Sequence, residues 1–285
     1  MFRVSSLLHK NKRVLSQRLL SFVGSIFFYV KKIWYWHTSG TKFAQQHPTT
    51  NLPTLIFSHQ SPLFRELRDV DPYLQQNKVH NLRIAIQQLN SIVIQPGETF
   101  SYWRQIGNPT TKKGYREGMI LRRGQLHPGI GGGLCQLSNL IYWMTLHTPL
   151  TVIERWRHSY DVFPDANRTQ PFGSGATCSY PNIDLQIKNE TQQPFQLKLE
   201  LSDTHLLGVW TSDHVIPYRY TITEQDHRIE HTTWGGYIRS NALWRTTYDK
   251  QTQLPVKKEL ITENTALMMY EPLLPTSSSE PKANL

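Results

Sequence analysis

Apolar residues recur at helical spacing in two stretches of this chain. In "NKVHNLRIAIQQLNSIVI", Val79, Leu82, Ile86 and Leu89 predict a core-facing helix from about residue 75 to 90. The turn signal "QPGE" (95 to 98) ends it and leads into "TFSYW". In the second stretch Leu134, Leu137, Ile141 and Met144 follow a 3, 4, 3 spacing, with Leu140 beside them, and "HTPL" with Pro149 closes the helix. Elsewhere the period is two. "IDLQIKN" alternates Ile183, Leu185 and Ile187, and "FQLKLEL" alternates Phe195, Leu197, Leu199 and Leu201, with Asn189 to Pro194 as the hairpin turn between them. "TVIER", "LLGVW", "YRYTIT" and "YIRSNALWRTTY" read as further strands, and "GYREGMILRRGQLHPGIGGG" as short strands with tight turns. There is no internal repeat. The fold class is α+β, with helices in the N-terminal half and a largely antiparallel β-sheet in the C-terminal half.

Charge divides the chain further. Residues 1 to 65 hold nine Lys or Arg and no Asp or Glu, so the remainder of the 285 residues carries 22 basic and 21 acidic side chains. A basic arm and linker (1–50) therefore precedes a near-neutral core domain (51–215), a β-rich extension (216–274) and a polar tail (275–285) expected to be disordered. The linker is "TSGTKFAQQHPTTNLPT", rich in Thr, Gln and Pro. No helix-turn-helix or zinc-finger pattern accompanies the charge, so nucleic acid is not an expected partner. Inside the arm, "LLSFVGSIFFYV" is too short to span a bilayer, which takes about 20 helical residues. No small-residue cleavage site follows it, so no cleavable signal peptide is expected. Trp34, Tyr35 and Trp36 with flanking lysines suit a segment (residues 1–36) lying on a membrane surface, on a side the sequence leaves open. The alternative is a helix buried against the body of a cytoplasmic protein.

Candidate chemistry centres on "GIGGGLCQLSNLIYW" (129 to 143). Cys135 sits where the second helix should begin, and the partial positive charge of a helix start stabilises a thiolate. Gly132 and Gly133 would leave the sulfur uncovered and offer backbone N–H groups to an oxyanion. A nucleophilic thiol needs a base, and His158 in "IERWRHSYD" is the best placed; Ser159 or Asp161 would orient its ring. His127 and His147 are alternatives, though His147 lies at the far end of the same helix. Gln136, Arg155, Arg157 and Tyr160 complete the candidate substrate-binding set.

Other chemistries compete for these residues. A cysteine beside glycines is often simply a small buried residue. Cys135 and Cys178 would form a disulfide in an oxidising compartment. With His147 and His158 they would make a zinc set, but no CxxC or HxxxH pair supports one, and no metal is expected. Arg155 and Arg157 either bind a carboxylate or pair with Asp161 and Asp165.

"PGETFSYWRQIGNPTTKKGYREGMIL", "GIGGGLCQLSNLIYW", "ERWRHSYDVFPD" and "PFGSGATCSYPNIDLQIKNET" together resemble the VanW family, over about residues 50 to 210. The resemblance implies a link to glycopeptide resistance and cell-wall chemistry, with a peptidoglycan stem peptide or precursor as partner. It also implies L,D-transpeptidase activity through Cys135 without a cofactor, or alternatively a non-catalytic accessory or precursor-binding role. Many members read Gly/Arg-x-Asp-Ala-Thr where this chain has Gly173-Ser174-Gly175-Ala176-Thr177, so Gly175 replaces an acidic residue.

Overall fold

The computed structural model describes residues 24, 26–64, 71–122, 124–162 and 170–271. Most of the basic arm before residue 24, Asp165 and the polar tail lie outside them. Helix α1 covers residues 26–38 and is followed by β1 (Thr54–Pro62) and α2 (Pro72–Leu89). Asp71 caps α2 by accepting from the Tyr73 N–H at 3.1 Å, and Pro72 occupies the first turn, where no N–H is needed. Leu82, Ala85, Ile86 and Leu89 bury the predicted face. Next come β2 (Val93–Ile94) and β3 (Thr99–Ser101), then a short helix α3 (Tyr102–Ile106) where "TFSYW" turns from strand to helix. The hairpin β4 (Glu117–Arg122) and β5 (Gln125–Ile130) leads into α4 (Cys135–Leu146). The strands β6 (Thr151–Glu154), β7 (Tyr160–Asp161), β8 (Gln186–Lys188), β9 (Phe195–Leu201) and β10 (His205–Ser212) follow. Three long strands end the described chain: β11 (Tyr218–His231), β12 (Tyr237–Asp249) and β13 (Pro255–Met268).

The strands form sheets ordered β1-β10-β9-β2, β3-β8-β6 and β11-β12-β13-β7, with β4-β5 as a separate ribbon. Pairing is antiparallel except between β13 and β7, as the α+β class predicts. Helix α4 packs against β1, β10 and β6. It buries nearly all round, from Leu137 to Leu146 apart from Asn139, rather than along one stripe. A helix hydrophobic on every side belongs in the interior, and this one forms the centre of the core with Tyr102, Phe100, Phe195 and Trp210.

Two expectations are corrected. Strands β8 and β9 do not pair as a hairpin. β8 lies between β3 and β6, while β9 lies between β10 and β2. The segment before residue 54 is also no free linker. Phe43 and Ala44 are buried, Ala44 N–H donates to Thr99 O at 3.0 Å, and Val93 N–H donates to Gln46 O at 2.9 Å. Its Thr and Gln composition hid the two apolar residues that thread it into the core.

Helix α1 is held to the body by charge as well as by apolar contact. Trp36 is buried, and Lys32 pairs with Glu154 at 2.6 Å and lies 3.7 Å from Asp184. Asp184 is fully buried and receives Ser101 Oγ at 2.6 Å and the Trp103 N–H at 2.9 Å. Burial pushes its carboxyl up to about 6, against the lowering effect of those donors and Lys32. The folded value lies above the unfolded one, near 3.9. The stability it contributes is therefore fully present below about pH 4 and is lost as pH rises through 6. The half-buried His59 and His147, whose pKa values burial lowers, oppose this trend, so a paired comparison is needed. Urea midpoints of wild type should gain on those of Asp184→Asn as pH falls from 7 to 4. A constant difference across that range would contradict the assignment.

Candidate active site

The three glycines before Cys135 pack rather than expose. Gly132 lies against the backbone of Gly118 in β4, where an added Cβ would come 2.1 Å from the Gly118 carbonyl carbon. Gly133, at φ +93°, rests on the stem of Lys78 in α2, where a Cβ would meet Lys78 Cγ at 2.2 Å. Lys78 is itself buried and donates from Nζ to the Leu63 carbonyl. Asn81, also buried, donates to Gly132 O and Arg116 O, each at 3.0 Å, and accepts from Arg116 N–H. The glycine run is thus a closely packed seam between α2 and β4 that sets the start of α4 in place.

That seam engages two of the expected oxyanion donors. Gly132 N–H donates to Gly129 O and Gly133 N–H to Met119 O. Among the described residues, no acceptor takes the N–H of Leu134 or Cys135. Those two N–H groups, not the glycines', are the unengaged donors at the helix start. Gln136 does not reach into open space either. Its amide donates to Ser61 Oγ and Pro62 O, both at 2.8 Å, tying the first turn of α4 to the end of β1.

Cys135 is half-buried and opens α4. Its Sγ lies 3.6 Å from Cys178 Sγ and 3.5 Å from Cys178 O, and both cysteines are free thiols. The thiol of Cys135 is held well below its usual range. The Cys178 S–H donor contributes most, burial opposes it, and a hydrogen bond with His158 lowers it further. Cys178 moves the other way, raised by burial and then by its neighbour Cys135, although Ser138 Oγ donates to it at 3.4 Å. One thiol is therefore poised to ionise and the other to stay protonated.

Of the three histidines weighed from the sequence, His158 is the one near enough to Cys135 to favour its thiolate. His127 is exposed on β5. His147 stacks on Phe57 at 4.1 Å and bonds Tyr220 O, so the four residues of the zinc set do not gather. Among the described residues no cluster of three or more His, Cys, Asp or Glu suits a metal. Asp161 is engaged with Arg239 at 3.4 Å and Tyr270 at 2.8 Å. Ser159 is exposed, its carbonyl accepting from Leu267 N–H at 3.0 Å, and Tyr160 lies in β7. Arg155 donates to Gly173 O, Gly175 O and Thr262 Oγ1, and stacks 5.0 Å over Tyr142. Arg157 donates to His158 O and Thr265 O. Arg155 thus braces the backbone at Gly173 and Gly175, and Arg157 the backbone at the histidine itself.

The residues that hold Cys178 carried no motif signal. Ser138 donates to Ala176 O at 2.6 Å, and Asn139 accepts from Ala176 N–H at 2.7 Å. Tyr102 donates to Leu134 O at 2.9 Å, and its buried phenol is raised by burial and by both thiols. Only the position of Ser138, one helical turn after Cys135, hinted at this cluster. Gly175 touches Asn139, since a Cβ there would lie 2.8 Å from Asn139 Oδ1. An acidic side chain at 175 would have to displace the amide that fixes the Cys178 segment.

Residues 77–211, from within α2 to within β10, match the family described as VanW like protein. This stretch, just under half of the chain, is VanW-like. Over 169 residues it is 38% identical to "Vancomycin B-type resistance protein VanW" of Enterococcus faecalis (strain ATCC 700802 / V583), covering 59% of this chain and 62% of that one. It is 27% identical over 139 residues to "Uncharacterized protein YoaR" of Bacillus subtilis (strain 168), covering 48% and 44% respectively. The chain thus spans less than two thirds of either relative. No solved structure matches it significantly. The VanW match includes Cys135, His158 and Cys178 but stops before β11, β12 and β13.

Proposed function

We propose that this chain is a VanW-family protein related to vancomycin resistance that acts on the cell wall as a cysteine acyltransferase of the L,D-transpeptidase type. The observation that carries the reading is the free Cys135 thiol at the head of α4, 3.6 Å from Cys178 Sγ and near enough to His158 for that imidazole to favour the thiolate. Cys135 Sγ attacks the carbonyl of a tetrapeptide stem, and the oxyanion meets the N–H groups of Leu134 and Cys135. His158 delivers a proton to the leaving D-Ala amine as the C–N bond breaks. An amine of a second stem then attacks the thioester, gives up its proton to His158 and restores the thiol. Such crosslinks use donors without the terminal D-Ala-D-Ala that glycopeptides bind, which gives the reaction a place in resistance. Incubating the purified chain with a tetrapeptide-stem muropeptide should yield an acyl adduct on Cys135 and free D-Ala, both read by mass spectrometry. A folded chain yielding neither would favour the second reading, a non-catalytic accessory or precursor-binding protein. Gly175 supports that second reading, since it stands where many relatives carry an acidic residue.

The start of α1 suits a membrane surface. Ile26, Phe27, Phe28, Tyr29 and Val30 are all exposed, as is Trp34 at 67%. No described helix is long and apolar enough to cross a membrane. Apolar side chains of this kind, beside Lys31 and the basic run before residue 24, fit an interface of anionic lipid. Replacing Phe27, Phe28 and Trp34 together with Ser should weaken co-sedimentation with phosphatidylglycerol vesicles by about tenfold or more. Unchanged binding by the triple variant, or equal binding to neutral vesicles, would refute the assignment.

A further inference from the structure

Cys178 has no part in acyl transfer, yet the fold brings its sulfur to 3.6 Å from that of Cys135. The two residues are 43 positions apart and reach each other from different elements. Cys178 is buried, in a segment pinned by Thr177 N–H to Trp156 O at 2.7 Å and by Ser179 N–H to Ile183 O at 2.8 Å. Cys135 is the more exposed of the two. A half-exposed thiol that ionises readily beside a shielded one that does not is the arrangement in which an oxidised sulfur is captured by its neighbour.

We propose that Cys135 and Cys178 form a reversible oxidation site, in which a hydroperoxide oxidises Cys135 and Cys178 closes the product to a disulfide that withdraws the nucleophile. In the first step a lone pair of the Cys135 thiolate attacks the peroxide. The O–O bond breaks, an S–O bond forms, and the oxygen that leaves takes up a proton to become water or an alcohol. The sulfenic acid on Cys135 is the two-electron oxidised product. In the second step Cys178 sulfur attacks Cys135 sulfur, the S–O bond breaks, and hydroxide leaves with the Cys178 proton as water. The sulfurs must close by roughly 1.5 Å to reach the length of a disulfide bond, near 2.05 Å. An external dithiol reverses the state by exchange, returning both thiols and becoming oxidised itself. The inference rests on Cys135 being an ionised nucleophile, but not on what it acylates.

The test treats the reduced full chain with equimolar hydrogen peroxide and maps peptides without reduction, with dimedone present to trap sulfenic acid. Wild type should give the Cys135–Cys178 cross-linked peptide, about tenfold faster folded than unfolded in urea, and dithiothreitol should remove it. Cys178→Ala should instead accumulate the dimedone adduct on Cys135 and, with excess peroxide, its sulfinic acid. Accumulation of that adduct in folded wild type without a cross-link would overturn the proposal. So would a cross-link that forms equally fast in urea, which also guards against a misfolded variant. A cross-link in a chain that forms no acyl adduct would defeat the acyl-transfer reading alone, whereas an acyl adduct in a chain that never cross-links would defeat this one alone.

Discussion

A Gly132→Ala chain should lose about 3 kcal/mol or more of folding stability, enough to leave little folded protein at temperatures the wild type tolerates. The reason is the seam it shares with Gly118. The new Cβ would lie 2.1 Å from the Gly118 carbonyl carbon and 2.2 Å from its oxygen. Backbone on the other side cannot rotate away as a flexible side chain would. Relief requires β4 to separate from the loop before α4, which would break the Asn81 bonds to Gly132 and Arg116. Thermal and urea melts check this directly, with Gly24→Ala as a control because nothing lies within 4 Å of that position. A Gly132→Ala midpoint within about 0.5 kcal/mol of wild type would show that the seam is loose.

Cys135→Ala should abolish adduct formation and stem-peptide transfer while leaving the melt within about 1 kcal/mol of wild type. The thiol sits at a helix start and is half-buried, so removing one sulfur leaves only a small void. His158→Ala should slow transfer by about 10² to 10⁴ and shift the alkylation profile of Cys135 to higher pH, because it removes one of the contacts that favour the thiolate. The pH profile separates a base from a merely supporting residue, which would slow the reaction without moving the thiol. Wild-type transfer rates in Cys135→Ala would end the nucleophile assignment.

Both helices that position the site were legible because their periodicity needs no partner to be read. Cys135 at the head of α4 and His158 beyond β6 followed from that reading. Partnership between strands was not legible. β8 and β9 each alternate correctly, but alternation states which side chains face inward and not which strand lies alongside. β8 pairs with β3, far earlier in the chain, through Thr99↔Lys188 and Phe100↔Ile187. The glycine run was ambiguous for a similar reason. Whether Gly132 admits a substrate or a backbone depends on Gly118, and nothing local announces that neighbour. Arg155 and Arg157 suit a substrate carboxylate or a pairing with Asp161 and Asp165, because arginines usually meet anions. Here their donors go mostly to main-chain carbonyls, those of Gly173 and Gly175 for Arg155 and of His158 and Thr265 for Arg157.

The parallel contact of β13 with β7 has a consequence for the order in which the molecule is made. Leu267 N–H bonds Ser159 O, Met269 N–H bonds Asp161 O, and Arg157 donates to Thr265 O. The backbone beside the histidine is therefore held by residues synthesised more than 100 positions later. A nascent chain that has emerged as far as residue 212 already contains β1, β9, β10 and α4, and with them both sulfurs. Its imidazole still lacks these supports. Completion of the last long strand is thus the step that adds these supports, so a chain stalled on the ribosome would carry the sulfur pair without them.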